Sequence, residues 1–65
     1  MTSTEAINKY LENSSLVDIY DTVFDGKVFT IVSYDKQEFV EQLRKQFDYC
    51  ADIKIIGSVV VLSLL

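Results

Sequence analysis

Apolar and polar residues alternate along this chain in two successive patterns, each beginning at helical spacing and changing to β-type runs. Near the N-terminus, Ala6, Ile7, Tyr10 and Leu11 share one face of a helix predicted over about Thr4 to Asn13. Thr2 and Glu5 have the spacing of a capping box at its start. The helix is short, so we expect it to depend on packing of its apolar stripe.

A second helix is predicted after Asp35 and Glu38, which repeat the capping-box spacing. Glu41 and Lys45 stand on its polar side in the favourable i, i+4 order. Its apolar side recurs at the spacing of one helical face and consists of Phe39, Val40, Leu43, Phe47, Cys50 and Ala51.

A β-hairpin is predicted between the helices, because Asp25 and Gly26 separate two runs rich in β-branched and aromatic residues. A two-residue turn would pair Phe24 with Lys27 and Val23 with Val28. One face of this hairpin then carries Val17, Ile19, Val23, Val28 and Val32. The other face carries Tyr20, Phe24, Phe29 and Ile31.

The C-terminal run, residues 53–65, can be one long strand or two strands that turn at Gly57 and Ser58. We favour two strands because an offset of about 32 residues aligns Ile7 with Phe39 and Val28 with Val60. In the turn register, Ile55 pairs with Val60 and Ile53 with Leu62.

These elements predict an α+β fold, a single small domain over residues 1–65. Its order is helix-hairpin-helix-hairpin (αββαββ), with a four-stranded, mainly antiparallel sheet and two helices on one face. The uncovered face would form an apolar patch larger than soluble monomers usually expose. We expect an interface there made of Tyr20, Phe24, Phe29, Ile31, Ile56, Val59 and Val61.

Composition favours a folded domain that needs help to be stable. Nearly half of the 65 residues are apolar (49%), proline is absent, and a chain this short buries a small core. One cysteine and no histidine exclude an intrachain disulfide and any ordinary zinc site. Self-association is the remaining stabilising device, through sheet faces, sheet edges or a swapped C-terminal strand.

Charge and hydropathy limit the kinds of partner that this protein is expected to bind. The net charge of −4 disfavours direct nucleic-acid binding, because phosphates would be repelled. The N-terminus lacks the pattern of a secretory signal, and the uncharged C-terminal run is too short to span a bilayer. We therefore expect a cytoplasmic protein with a reduced thiol and no membrane partner.

No residue set predicts catalysis, a cofactor or a metal. Cys50 follows a helix, where the dipole opposes thiolate formation, so a core thiol is the simpler interpretation. Asp18, Asp21 and Asp25 are close in sequence, but Asp18 and Asp21 are predicted on opposite strand faces and Asp25 in the turn. An enzyme with a site shared between chains is the least favoured alternative.

The sequence therefore indicates a small acidic protein-binding module, a homodimer that regulates or inhibits a larger protein. One alternative is a viral or phage inhibitor that mimics nucleic acid, with Asp18, Asp21 and Asp25 facing a basic partner. Another is a purely structural homo-oligomer subunit.

Overall fold

The computed structural model describes residues 2–65, which form two helices and four strands in the predicted αββαββ order. Helix α1 spans Ser3–Glu12 and α2 spans Lys36–Phe47. The strands are β1 (Val17–Phe24), β2 (Val28–Ser33), β3 (Ala51–Ile56) and β4 (Val59–Leu64). They form one antiparallel sheet in the order β1-β2-β4-β3. The α+β fold class is confirmed.

Both helices begin at the predicted caps. Thr2 Oγ1 accepts a hydrogen bond from Glu5 N at 3.2 Å, and Glu5 Oε1 accepts from Thr2 N at 3.4 Å, so the capping box is complete. Asp35 Oδ1 accepts from Glu38 N at 3.3 Å at the start of α2. Helix α1 lies one residue nearer the N-terminus at both ends than the predicted range.

The core lies between the helices and one face of the sheet. Ile7 and Leu11 of α1 and Phe39, Val40, Leu43 and Phe47 of α2 are buried in it, as their spacing predicted. Cys50 and Ala51 were predicted on the same helical face, which is wrong, because α2 ends at Phe47 and Ala51 begins β3. The sheet contributes Val17, Phe29, Ile31, Ala51, Ile53, Val60 and Leu62. Tyr10 joins the two helices through an edge-to-face contact with Phe47, ring centroids 5.5 Å apart, and a hydrogen bond to Gln42.

The second hairpin has the predicted register. Ile56 pairs with Val59, Ile55 with Val60 and Ile53 with Leu62 across a two-residue turn. Gly57 has a φ of 59° and Ser58 does not have a positive φ, as a type II′ turn requires. The C-terminal run is therefore two strands, and the one-strand alternative is wrong.

The first hairpin differs from the predicted register. Phe24 pairs with Phe29 and Val23 with Thr30, so the loop is longer than the two residues expected. Asp25 explains the longer loop, because its Oδ1 accepts hydrogen bonds from Lys27 N at 3.1 Å and Val28 N at 2.9 Å. The backbone Asp25 N–H also donates to Val28 O.

Strand β1 also contains a bulge that the residue pattern did not predict. Asp18 pairs with Val32 and Val23 with Thr30, so four residues of β1, 19–22, lie opposite Ile31 alone. Because the bulge adds an odd number of residues, three, the side chains after it point to the opposite faces from those they would have in a regular strand. Val17 and Phe24 therefore both face the helices, although their spacing in a regular strand would place them on opposite faces.

Candidate protein-binding surface

The surface of the sheet away from the helices is uncovered, and we call it the open face. Val23 on β1 and Ile56 on β3 are its most exposed apolar residues, with 61% and 52% of their surface accessible. Its other apolar residues on the central strands are half-buried. The open face consists of Val23, Val28, Thr30, Val32, Ile56, Val59 and Val61, with Asp18, Asp52, Lys54 and Ser63 at its margins.

Strand register brings the open-face residues together. Thr30 lies between Val23 and Val61 across β1, β2 and β4, and Val61 in turn pairs with Lys54 of β3. Cross-strand neighbours of this kind are within side-chain contact. The result is a mainly apolar strip that crosses the sheet, with the polar side chains of Thr30 at its centre and Lys54 at its β3 end.

The predicted interface residues separate into three groups in the structure. Ile56, Val59 and Val61 lie on the open face, where they were expected. Phe29 and Ile31 do not, since both are fully buried between sheet and helices. Their placement on the uncovered face is wrong, and Val28 and Val32 take their places there.

The remaining two predicted residues lie at β1. Phe24 is half-buried and stacks on Phe29, with ring centroids 4.2 Å apart and an interplanar angle of 22°. Tyr20 projects from the bulge with 96% of its surface accessible. Of the two, Tyr20 is therefore available to a partner and Phe24 belongs with the core.

The 32-residue offset does not extend to the buried face of β2. It aligns Val28 with Val60, but Val60 is buried in the core whereas Val28 lies on the open face. In the sheet, Phe29 pairs with Leu62 and Ile31 with Val60, so these two residues share the helix-covered face. Side-chain size favours the observed face without deciding it, because Phe29 and Ile31 fill the core more completely than Val28 and Val32 but both pairs are apolar.

Asp18 organises the acidic part of the margin. Its carboxylate accepts from Tyr20 N at 3.2 Å, and its carbonyl oxygen accepts from Thr22 Oγ1 at 3.0 Å. A side-chain hydrogen bond to Asp18, followed by the negative charge of Asp18, raises the pKa of Asp21. The bulge therefore brings together two carboxyl groups that were predicted to point apart.

Asp25 does not join this pair. It lies in the turn as predicted, and the backbone N–H groups of Val28 and Lys27 hold its pKa below the ordinary value. Its Oδ1 is therefore committed to the local backbone, and the acidic margin at β1 consists of Asp18 and Asp21.

The other chemical groups of residues 2–65 do not form a second candidate site, such as a metal centre. Among residues 2–65, no group of three or more histidine, cysteine or acidic side chains is placed to hold a metal ion. Cys50 is half-buried, and its thiol donates to Phe47 O at 3.6 Å. Neither helix in this part of the chain is long and apolar enough to cross a membrane.

Comparisons with protein-family models, curated proteins and solved structures find no match for this chain. The structure defines its class as a two-layer α+β protein with one uncovered sheet face.

Proposed function

We propose that this protein is a small acidic protein-binding module that self-associates and regulates a larger protein through its open face. The observation that carries the proposal is the mainly apolar strip that includes Val23 and Val61, together with Ile56, which adjoins it through its strand partner Val59. A sheet covered by helices on one side only leaves such a strip in contact with water, which favours burial against another protein.

The margins indicate what kind of surface would fit. Asp18 and Asp21 give the β1 side a negative charge, whereas Asp52 and Lys54 form an ion pair at 3.8 Å on the β3 side. A matching partner therefore presents an apolar patch bordered by lysine or arginine where it meets β1. Tyr20 stands beside this margin and supplies an exposed aromatic side chain of the type enriched in interfaces.

The proposal places the protein in the cytoplasm, with Cys50 as a free thiol. It assigns no catalytic step to any residue. Regulation would follow from occupying the partner's surface.

Site-specific photo-cross-linking in the producing cell tests the open face. A benzophenone-bearing amino acid replaces Ile56, and the same probe replaces Gln46, an exposed residue of α2 on the helix side, as the matched control. We expect a discrete adduct heavier than two copies of the chain from position 56 and not from position 46.

Two further variants make the assignment specific. Val23→Asp adds a charge to the strip and is expected to abolish the heavy adduct, while Val23→Thr, which keeps the β-branched shape, is expected to retain it. Adducts of two copies alone, or the same adducts from both probe positions, would overturn the proposal for a larger partner at the open face.

A further inference from the structure

We infer that two copies of this chain pair antiparallel through their β3 edges, with Ile53 of each copy at the two-fold axis. The four-stranded sheet would double in width, and the open face would continue from one copy to the other. The inference rests on the self-association included in the proposed function and assigns it to an edge, which leaves the open face free for a different protein.

The backbone of β3 has hydrogen-bonding groups without strand partners. Strand β3 lies at the edge of the sheet, and Leu65 N–H donates to Cys50 O at 3.0 Å just beyond the strand. Backbone N–H and C=O groups alternate in direction along a strand, so those of Asp52, Lys54 and Ile56 point toward β4, as the carbonyl group of Cys50 does. The N–H and C=O groups of Ala51, Ile53 and Ile55 therefore point away from the sheet.

Arg44 contacts the β3 edge and confirms that the carbonyl group of Ile53 points away from the sheet. It occupies only part of this edge. Its Nη2 donates to Ile53 O at 2.9 Å, the one partner that these edge groups have within residues 2–65. A carbonyl oxygen has two lone pairs, so Ile53 O can accept a second hydrogen bond. The other edge groups remain available to an added strand, as in β-augmentation.

The charges on β3 favour one register for self-pairing over the two registers next to it. With Ile53 opposite Ile53 of the second copy, Asp52 lies opposite Lys54 of the second copy, and Lys54 opposite Asp52. These are non-hydrogen-bonded pairs, in which side chains approach most closely. If the two-fold axis moves to residue 52, Asp52 lies opposite Asp52 of the second copy. If it moves to residue 54, Lys54 lies opposite Lys54 of the second copy.

The helix-covered side of the edge fits the same register. Ile55 of one copy then lies opposite Ala51 of the other, so a large side chain meets a small one. Ile55 is 40% exposed in the single chain and lines a groove of about 270 Å³ together with Gln37, Val40, Glu41 and Arg44 of α2. A strand added beside β3 would cover this exposed apolar side chain.

Charge exchange tests the pairing directly. Asp52→Lys and Lys54→Asp are both on exposed side chains, so each variant is expected to fold, which circular dichroism checks. Sedimentation equilibrium at low salt is expected to show self-association weakened about tenfold in each, because two cross-strand pairs change from opposite to like charge. The double variant, which exchanges both residues, is expected to self-associate like the original chain.

A mixture of the two single variants provides the sharpest test. The first carries two lysines on β3 and the second two aspartates, so they are complementary to each other and not to themselves. We expect the mixture to associate more tightly than either variant alone. A mixture no tighter than its components, or single variants that associate like the original chain, would overturn the inference.

The open face is tested separately by Val23→Asp, which is expected to leave self-association unchanged. Loss of self-association in this variant would move the self-interface to the open face and overturn the edge pairing. An original chain that is monomeric at all concentrations would overturn the edge pairing and remove self-association from the proposed function. The photo-cross-linking result at Ile56 would still decide the other part, the larger partner at the open face.

Discussion

Phe24 and Phe29 stack across β1 and β2, with ring centroids 4.2 Å apart, and this contact joins the first hairpin to the core. Phe29 is fully buried, whereas Phe24 is half-buried and packs against the core from its margin. The two residues are cross-strand partners that flank the longer turn stabilised by Asp25. Local turn chemistry and core packing therefore support the same register.

Removal of the Phe29 ring is expected to destabilise the fold severely. Phe29→Ala loses a fully buried aromatic side chain and its stacking contact, which together cost about 3–5 kcal/mol. A domain of this length has a total stability of about 3–10 kcal/mol, so we expect the variant to lose a large part of its free energy of unfolding. Urea denaturation followed by circular dichroism measures the loss.

Phe29→Leu is the matched control, since it keeps most of the buried apolar volume. We expect it to cost less than Phe29→Ala and to leave a cooperative transition. Equal denaturation midpoints for the original chain and Phe29→Ala would contradict the burial of this side chain.

Ser33 is expected to contribute to stability through its hydroxyl group. It is buried at the end of β2, where Oγ donates to Leu16 O at 2.8 Å and accepts from Asp35 N at 3.3 Å. Ser33→Ala removes both hydrogen bonds and is expected to lower the free energy of unfolding by about 1–2 kcal/mol. Chemical denaturation measures the change.

Ser63→Ala makes the same chemical change in β4, where the serine is half-buried on the open face. We expect it to alter stability by less than Ser33→Ala. Similar losses from the two variants would show that the Ser33 hydrogen bonds contribute nothing specific.

The Asp18 and Asp21 pair predicts a particular pH dependence. The folded-state pKa of Asp21 is raised, so the folded chain binds this proton more tightly than the unfolded chain. Its contribution to stability therefore falls as pH rises from the ordinary carboxyl value through the raised pKa. Asp21→Asn removes the like-charge contact, and we expect a higher melting temperature at neutral pH.

The same variant is expected to match the original chain below the ordinary carboxyl pKa, where the Asp21 carboxyl group is protonated in the folded and the unfolded chain alike. Glu41→Gln is the control for a general change in net charge, because it removes one negative charge from an exposed position of α2. A gain at neutral pH as large in Glu41→Gln as in Asp21→Asn would refute a specific effect of the pair.

Local patterns in the sequence were sufficient for most of the architecture. The capping residues Thr2 and Asp35, the apolar stripes of both helices and the turn at Gly57 are short-range features whose geometry depends on neighbouring residues. For this reason the αββαββ order and the register of the second hairpin could be predicted. Ile56, Val59 and Val61 were placed on the uncovered face for the same reason.

The tertiary structure decided which face of the first hairpin is buried. Alternation in β2 separates Phe29 and Ile31 from Val28 and Val32, but both sets are apolar, so the pattern alone does not indicate which set meets the helices. The pairing of β2 with β4 settles the question, because it places Phe29 beside Leu62 and Ile31 beside Val60. That pairing is between strands distant in sequence.

The β1 bulge was decided in the same way. Its three extra residues bring Val17 into the core, expose Tyr20 and join Asp18 to Asp21, and no turn motif in residues 17–24 marks it. The sequence by itself determined the elements and their order, through hydrogen bonds and spacings that are local. The choice of buried face and the position of the bulge follow from packing two hairpins and two helices around one core, which is a non-local property.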